Sequence, residues 1–204
     1  MGGSAKLRTI MAEPRKIALF GGTFDPVHRG HVQLATLAQT ALGLDEVRFL
    51  PCQQSPHKTG SQPAAAADRL AMLRLATADL PWAMVEDYEV RREGGAFSYE
   101  TAAALRATQP AARWFWIMGG DQWRALPTWR HPERLAACVE FIVLARDGEP
   151  PLPRAGQTLH VVSGVHPASA TAIREAIRHG QKGHRWLAPA VAEWIATHGM
   201  YRQR

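Results

Sequence analysis

The residues best suited to chemistry lie close together near the N-terminus, in LFGGTFDPVHRGHVQLA, residues 19–35. An apolar run ends there in two glycines, Asp25-Pro26 makes a turn, and His28 and His31 stand three apart where a helix-period pattern begins. Histidines in this setting can ligate a metal, donate to an anion, or simply sit solvated in a polar loop. A metal site needs three or four ligands, whereas this spacing supplies two, with no neighbouring cysteine and no Glu-x-x-His companion. A phosphate site needs donors and room for close approach, which Gly21, Gly22 and the free N–H groups of a helix opening near Gly30-His31 offer. The segment is neither G-x-G-x-x-G nor a Walker loop ending in Lys-Ser/Thr, so the usual dinucleotide and NTPase motifs are excluded.

Three further places could carry chemistry. In HPASATAIREAI (166–177), Ser169 or Thr171 can cap an apolar-periodic helix. A cap does not explain Arg174, placed in the first turns, where the helix dipole disfavours a cation unless an anion is near; a second phosphate site is the more economical account. Gly119-Gly120-Asp121 follows an apolar strand, and a carboxylate there either accepts from a ribose diol or caps the next helix. Of the seven tryptophans, Trp114 and Trp116 alternate within a strand and read as core, while Trp123 and Trp129 follow it in a loop, better placed to meet a flat ring. Lys58, at the tip of a Pro-bounded loop, is by itself an ordinary solvated lysine.

The elements that must position these residues follow from periodicity. KIALF (16–20) is apolar on both faces, as in a central parallel strand, and a helix pattern runs through Leu34, Ala35, Ala38, Ala41 and Leu42 to a closing Gly43. Further strands are predicted at 46–51, 84–90, 113–119, 139–145 and 159–164, and helices at 64–79, 99–108, 131–137, 169–179 and 188–198. Residues 53–63 read as a polar loop and PPLPRAG (150–156) as a surface loop. This alternation predicts an α/β fold, a Rossmann-like open parallel sheet with helices on both faces, whose ligands bind beyond the carboxyl ends of the strands.

At 204 residues the chain suits one domain, taken as 15–204 behind a loose tail at 1–14 in which Met11 is an alternative start. The hydrophobic share of 46% and charged share of 21% are ordinary for a globular enzyme. No apolar run approaches the roughly 20 residues of a membrane span, and the N-terminus lacks the apolar core of a secretory signal. Cys52 and Cys138 are the only cysteines, too few for a disulfide framework or a four-cysteine zinc site, so a reducing cytoplasm is the expected setting. The net charge of +6 suggests an anionic partner. Its clearest cluster is one short stretch, Arg174, Arg178, His179, Lys182, His184 and Arg185, rather than a stripe with interleaved aromatics, so a small phosphorylated ligand is expected and no nucleic acid or membrane.

The segment GGTFDPVHRGH resembles the G-x-F-D-P-x-H-x-G-H signature of nucleotidyltransferases, whose two histidines contact nucleotide phosphates. SPHK (55–58), EDYEVRREGGAFSYET (86–101), WIMGGDQWRALPTW (116–129), ARDG (145–148) and SATAIREAIRHG (169–180) resemble motifs of the nicotinate-nucleotide adenylyltransferases within that superfamily, so the resemblance runs from about Lys16 onward. It implies a nucleotidyltransferase-type fold and adenylyl transfer from ATP to nicotinate mononucleotide, releasing pyrophosphate. It implies His28, His31, Lys58 and Arg174 as catalytic residues. For ATP it implies Gly21, Gly22, Thr23, Phe24, Gly119, Asp121, Arg146, Ser169, Thr171 and Ile173 beside the two histidines and Arg174. For nicotinate mononucleotide it implies Lys58, Ser98, Tyr99, Glu100 and Arg130, with Trp129 as a stacking surface for the pyridine. Mg²⁺ is expected to arrive with ATP, without a protein metal cage, in a monomer or small homo-oligomer. Two positions depart from the motifs: Glu100 stands where the family has Thr, with Thr101 one place later, and Ala168 where it has Ile. The nearest rivals are nucleotidyltransferases for nicotinamide mononucleotide or phosphopantetheine, cytidylyltransferases, and a non-catalytic nucleotide sensor.

Overall fold

A computed structural model describes residues 13–53, 62–92, 94, 96–145, 150–181 and 184–202. Most of the expected tail, together with Lys58 and its loop, Arg146 and Lys182, lies outside the described residues.

The first half of the chain runs β1 (Lys16–Gly22), α1 (Arg29–Leu42), β2 (Glu46–Pro51), α2 (Ala66–Thr77), β3 (Ala83–Val85), α3 (Tyr88–Arg91) and α4 (Ser98–Thr108). The second half runs β4 (Arg113–Gly119), α5 (Gly120–Ala125), α6 (Pro132–Ala136), β5 (Glu140–Ala145), β6 (Leu159–Ser163), α7 (Ala170–Arg178) and α8 (Pro189–Thr197). The six described strands are all parallel, in the order β3-β2-β1-β4-β5-β6.

β1 lacks alternation because both of its faces are covered. Ala18 and Phe20 enter one core with Val27, Ala35, Met72, Ile173 and Val191, while Ile17 and Leu19 enter the other with Tyr99, Leu105, Trp114, Trp116 and Leu135. α1 stops where predicted: Gly43 takes φ +59°, which a residue without a Cβ accepts freely, and its N–H returns to the Gln39 carbonyl.

Two expectations fail. The strand predicted over 84–90 ends at Val85. Glu86 N–H still donates to Phe49 O at 2.9 Å, but the Glu86 carboxylate then accepts from Tyr88 N–H at 3.2 Å and pairs with Arg48 at 3.2 Å, turning the chain into α3. Such side-chain competition for backbone donors is what ends a strand locally. The loop expected to hold Trp123 is instead the helix α5, followed by a 3₁₀ turn over Leu126–Thr128. Trp123 is 2% exposed, packs edge-on against Phe141, and donates its Nε1–H to Leu152 O at 3.0 Å, so it is a core residue with its polar atom satisfied.

The winding direction reverses between β1 and β4, which makes the carboxyl ends of these neighbours the crevice where an open parallel sheet binds ligands. Gly21-Gly22 stands at one lip and Gly119-Gly120-Asp121 at the other. Among the described residues no helix is long and apolar enough to cross a membrane.

Candidate active site

At the β1 lip, both glycines make room for rings. A Cβ on Gly21 would lie 3.3 Å from Trp116, and one on Gly22 would lie 3.0 Å from Phe24. Phe24, held at φ +50° and buried, meets the His31 ring edge-on at 5.0 Å and fixes it from below. A cis Asp25–Pro26 peptide follows, and the chain enters α1 through His28, an extended N-cap residue.

His28 and His31 cap the helix reciprocally. His31 N–H donates to His28 Nδ1 at 3.4 Å, His28 N–H donates to His31 Nδ1 at 3.2 Å, and the rings stack at 3.7 Å. This is the logic of a capping box, written with imidazoles. An Nδ1 that accepts a backbone N–H carries no proton, so each neutral ring carries its proton on Nε2. Burial, followed by the nearby His166 and His184, lowers the His28 pKa from the ordinary 6.5 to about 4. His28 is therefore neutral near pH 7 and serves as a hydrogen-bond donor, at a helix mouth whose own N–H groups favour an anion.

α7 brings the second predicted phosphate segment to the same place. Ser169 is its N-cap, accepting from Ala172 N–H at 3.4 Å, and Ile173 is fully buried with its N–H given to Ser169 O at 3.0 Å, so it supports the helix from beneath. Arg174 lies in the second turn rather than the first. Its guanidinium donates to Asp25 O at 2.6 Å and Thr171 Oγ1 at 3.3 Å, and stands 3.9 Å from the Asp25 carboxylate. The anion that the dipole argument demanded is therefore met partly by Asp25 within the chain.

At the β4 lip, Gly119 is the N-cap of α5 and its N–H donates to Gln122 Oε1 at 3.4 Å. Asp121 is thus not the cap. Its carboxylate folds back over Gly119, 2.6 Å from where a Cβ would be, and stays exposed at the crevice. Trp116, whose ring fills the space above Gly21, meets Trp129 edge-on at 6.4 Å.

A further cluster of aromatic and cationic side chains lies where α4 begins. The rings of Phe97 and Tyr99 lie beneath the guanidiniums of Arg130 and Arg134 at 4.7 Å and 4.5 Å, and His131 stands edge-on to Tyr99 at 5.1 Å. Arg130 thus lies near both Phe97 and Glu100, and Trp129 packs against the same core cluster as Tyr99. The Glu100 carboxylate accepts from Phe97 N–H at 3.2 Å and from Tyr99 O–H at 3.3 Å, and the first of these bonds, ahead of Arg92, holds its pKa down. Behind it, buried Thr101 donates to Glu89 at 2.9 Å, and burial raises the Glu89 pKa to about 7.

The cytidylyltransferase-like family model matches residues 19–176, which span both lips and α7 as far as Ala176. A probable nicotinate-nucleotide adenylyltransferase of Lactiplantibacillus plantarum is 36% identical over 196 residues, 96% of this chain and 92% of that one. The corresponding protein of Neisseria meningitidis serogroup B is 36% identical over 203 residues, 93% of this chain and 100% of its own. This chain belongs to the nicotinate-nucleotide adenylyltransferase family. It is accordingly a nucleotidyltransferase. A Plasmodium falciparum nicotinic acid mononucleotide adenylyltransferase complexed with NaAD shares the fold, with a TM-score of 0.74 at 14% identity over 92% of this chain and 97% of that one.

Two residues of this family member that motif reading passed over hold the site together. Arg69 of α2, 1% exposed, donates to the carbonyls of Thr23 (2.9 Å), Cys52 (2.7 Å) and Ala64 (3.0 Å), tying the β1 loop to β2 and to the start of α2. Its signal was an arginine among apolar positions, in ADRLAML. Tyr201 donates to Asp25 Oδ1 at 2.6 Å, and burial together with that carboxylate pushes its own ionisation up. Nothing local in GMYR marks this tyrosine as a partner of a residue 176 positions away.

Proposed function

We propose that this enzyme transfers the adenylyl group of ATP to nicotinate mononucleotide. The mononucleotide phosphate attacks the α-phosphorus in line, the bond from that phosphorus to the β-phosphate bridging oxygen breaks, and nicotinate adenine dinucleotide and pyrophosphate result. The attacking phosphate is already anionic, so no side chain must act as a nucleophile, and catalysis rests on positioning and charge stabilisation. The observation that carries this reading is the reciprocal capping of His28 and His31, each ring accepting a backbone N–H on Nδ1, at the β1–β4 crevice.

In this reading His28 and His31 receive the α- and β-phosphates, and Arg174 with Ser169 and Thr171 at the mouth of α7 receives the terminal ones. Lys58 and Arg146 join them by resemblance. Thr23 and Phe24 shape the phosphate loop, Gly119 and Asp121 take the ATP ribose, and Trp129 stacks on the pyridine while the α4 mouth and Arg130 meet its carboxylate. Mg²⁺ enters as part of the Mg-ATP substrate; among the described residues no group of three or more His, Cys, Asp or Glu side chains is placed to hold a metal.

Purified protein given Mg-ATP and a panel of phosphate acceptors, with pyrophosphate release as the readout, tests the proposal. Nicotinate mononucleotide is expected to exceed nicotinamide mononucleotide in kcat/KM by at least about tenfold, since an amide NH₂ turned toward a backbone N–H leaves a buried donor unpaired. Equal use of the two, or preference for the amide, overturns the choice of acceptor.

A further inference from the structure

Two histidines outside the signature stand beside it. His166 precedes the α7 cap by three residues, and its ring packs so closely on α1 that a Cβ on Gly30 would come within 2.8 Å of His166 Nδ1 and 3.0 Å of His28 Nδ1. His184 belongs to the segment before α8, which is stitched to the same helix: Arg29 N–H donates to Trp186 O at 2.7 Å and Arg29 Nε to Leu187 O at 3.2 Å. The Trp186 ring meets His166 edge-on at 4.7 Å. Both histidines lie near enough to His28 to disfavour its protonation.

Their hydrogen bonds repeat those of the signature. His166 Nδ1 accepts from Ala168 N–H at 2.9 Å, and His184 Nδ1 accepts from Trp186 N–H at 3.2 Å. Each neutral ring therefore carries its proton on Nε2, and for neither does that atom have a hydrogen-bond partner among the described residues. Packing alone requires an imidazole to fill space; it does not require four rings from three separate segments to be set in one tautomer. An Nε2–H donor from each ring suits a multiply charged anion.

We propose that His166, flanked by His184, adds Nε2–H donors to the His28–His31 pair and binds the nucleotide polyphosphate between the mouths of α1 and α7. The inference rests on the nucleotidyltransferase reading of the crevice. It makes His166 a binding residue for the pyrophosphate portion, and the absent side chain of Gly30 the condition for its approach.

Calorimetric titration of inorganic pyrophosphate with Mg²⁺, and of Mg-ATP, into the parent, His166→Ala, His166→Gln and His184→Ala tests this without any acceptor. His166→Ala is expected to weaken pyrophosphate binding about tenfold or more, the scale of one charge-assisted hydrogen bond. His166→Gln, with an amide N–H at similar reach, should recover much of the loss, and His184→Ala should lose less. In the parent, ¹⁵N–¹H spectra should show all four rings as the Nε2–H tautomer, with the His166 signal moving on addition of pyrophosphate. Unchanged pyrophosphate affinity in His166→Ala, even with a lowered Tm, overturns the proposal, as does a silent His166 signal should that variant not fold. Binding that depends on His166 in a protein inactive toward nicotinate mononucleotide would uphold this inference and sink only the acceptor assignment.

Discussion

Replacing His28 separates the two tasks the structure gives it. Its Nδ1 caps α1, while its Nε2–H is the donor proposed for phosphate. Asparagine ranks among the best N-cap residues and keeps an acceptor for the first-turn N–H groups, but it removes the imidazole Nε2–H; alanine removes both. Either change loses the ring stacked on His31 at 3.7 Å, so the difference between the two variants isolates the cap. The capping bond is long, 3.4 Å, which places its loss near the lower end of the cap range, about 0.5–1 kcal/mol. In a domain of this size that is about 1–4 °C in Tm, with His28→Asn above His28→Ala. Turnover should fall in both by about 10²–10³-fold, the effect of removing one preorganised donor. Thermal melts and steady-state pyrophosphate release on the three proteins measure both quantities. Turnover of His28→Asn within a few-fold of the parent would refute the donor role, and equal Tm values for the two variants would refute the cap.

The structure also predicts opposing pH effects. Between pH 6.5 and about 4 the unfolded chain protonates His28 while the folded chain resists, so this contribution is lost as the pH falls. Glu89 is the reverse: protonated in the fold up to about pH 7 but ionised above 4.5 when unfolded, it contributes fully below 4.5 and loses that contribution as the pH rises to 7. Glu89→Gln, which keeps an acceptor for Thr101, should therefore gain about 1–3 kcal/mol near pH 7 and show a steeper loss on acidification, read from urea denaturation between pH 4.5 and 7.5; an unchanged slope contradicts the assignment. Glu100→Thr should lower Tm by a few degrees, through loss of the acceptor for Phe97 N–H at the start of α4. The same change should shift the acid-to-amide ratio of kcat/KM by less than about threefold, because the carboxylate is tied to Phe97 and Tyr99. A tenfold shift toward the acid would mean that Glu100 faces the pyridine.

What could be read from the chain alone was local. The two-faced β1, the Gly43 stop, a cap at Ser169 or Thr171 and the placing of His28 and His31 at a helix mouth depend on neighbours within a turn or a strand, where period and backbone geometry act directly. The resemblance to adenylyltransferase motifs then bound these pieces into one expected function. Tertiary structure decided whatever depends on distant partners. Trp123 and Trp129 are six residues apart and look alike in sequence, yet Leu152 and Phe141 bury the first while the second stays partly exposed, edge-on to Trp116. Glu89 is an ordinary acid until Thr101 and the surrounding core take its solvent away. Arg174 finds Asp25 across 149 positions, and Tyr201 finds the same carboxylate across 176. His28 owes its neutrality to burial and to two histidines more than 130 residues further along. Burial and electrostatics follow distance in space, and only the folded sheet sets those distances.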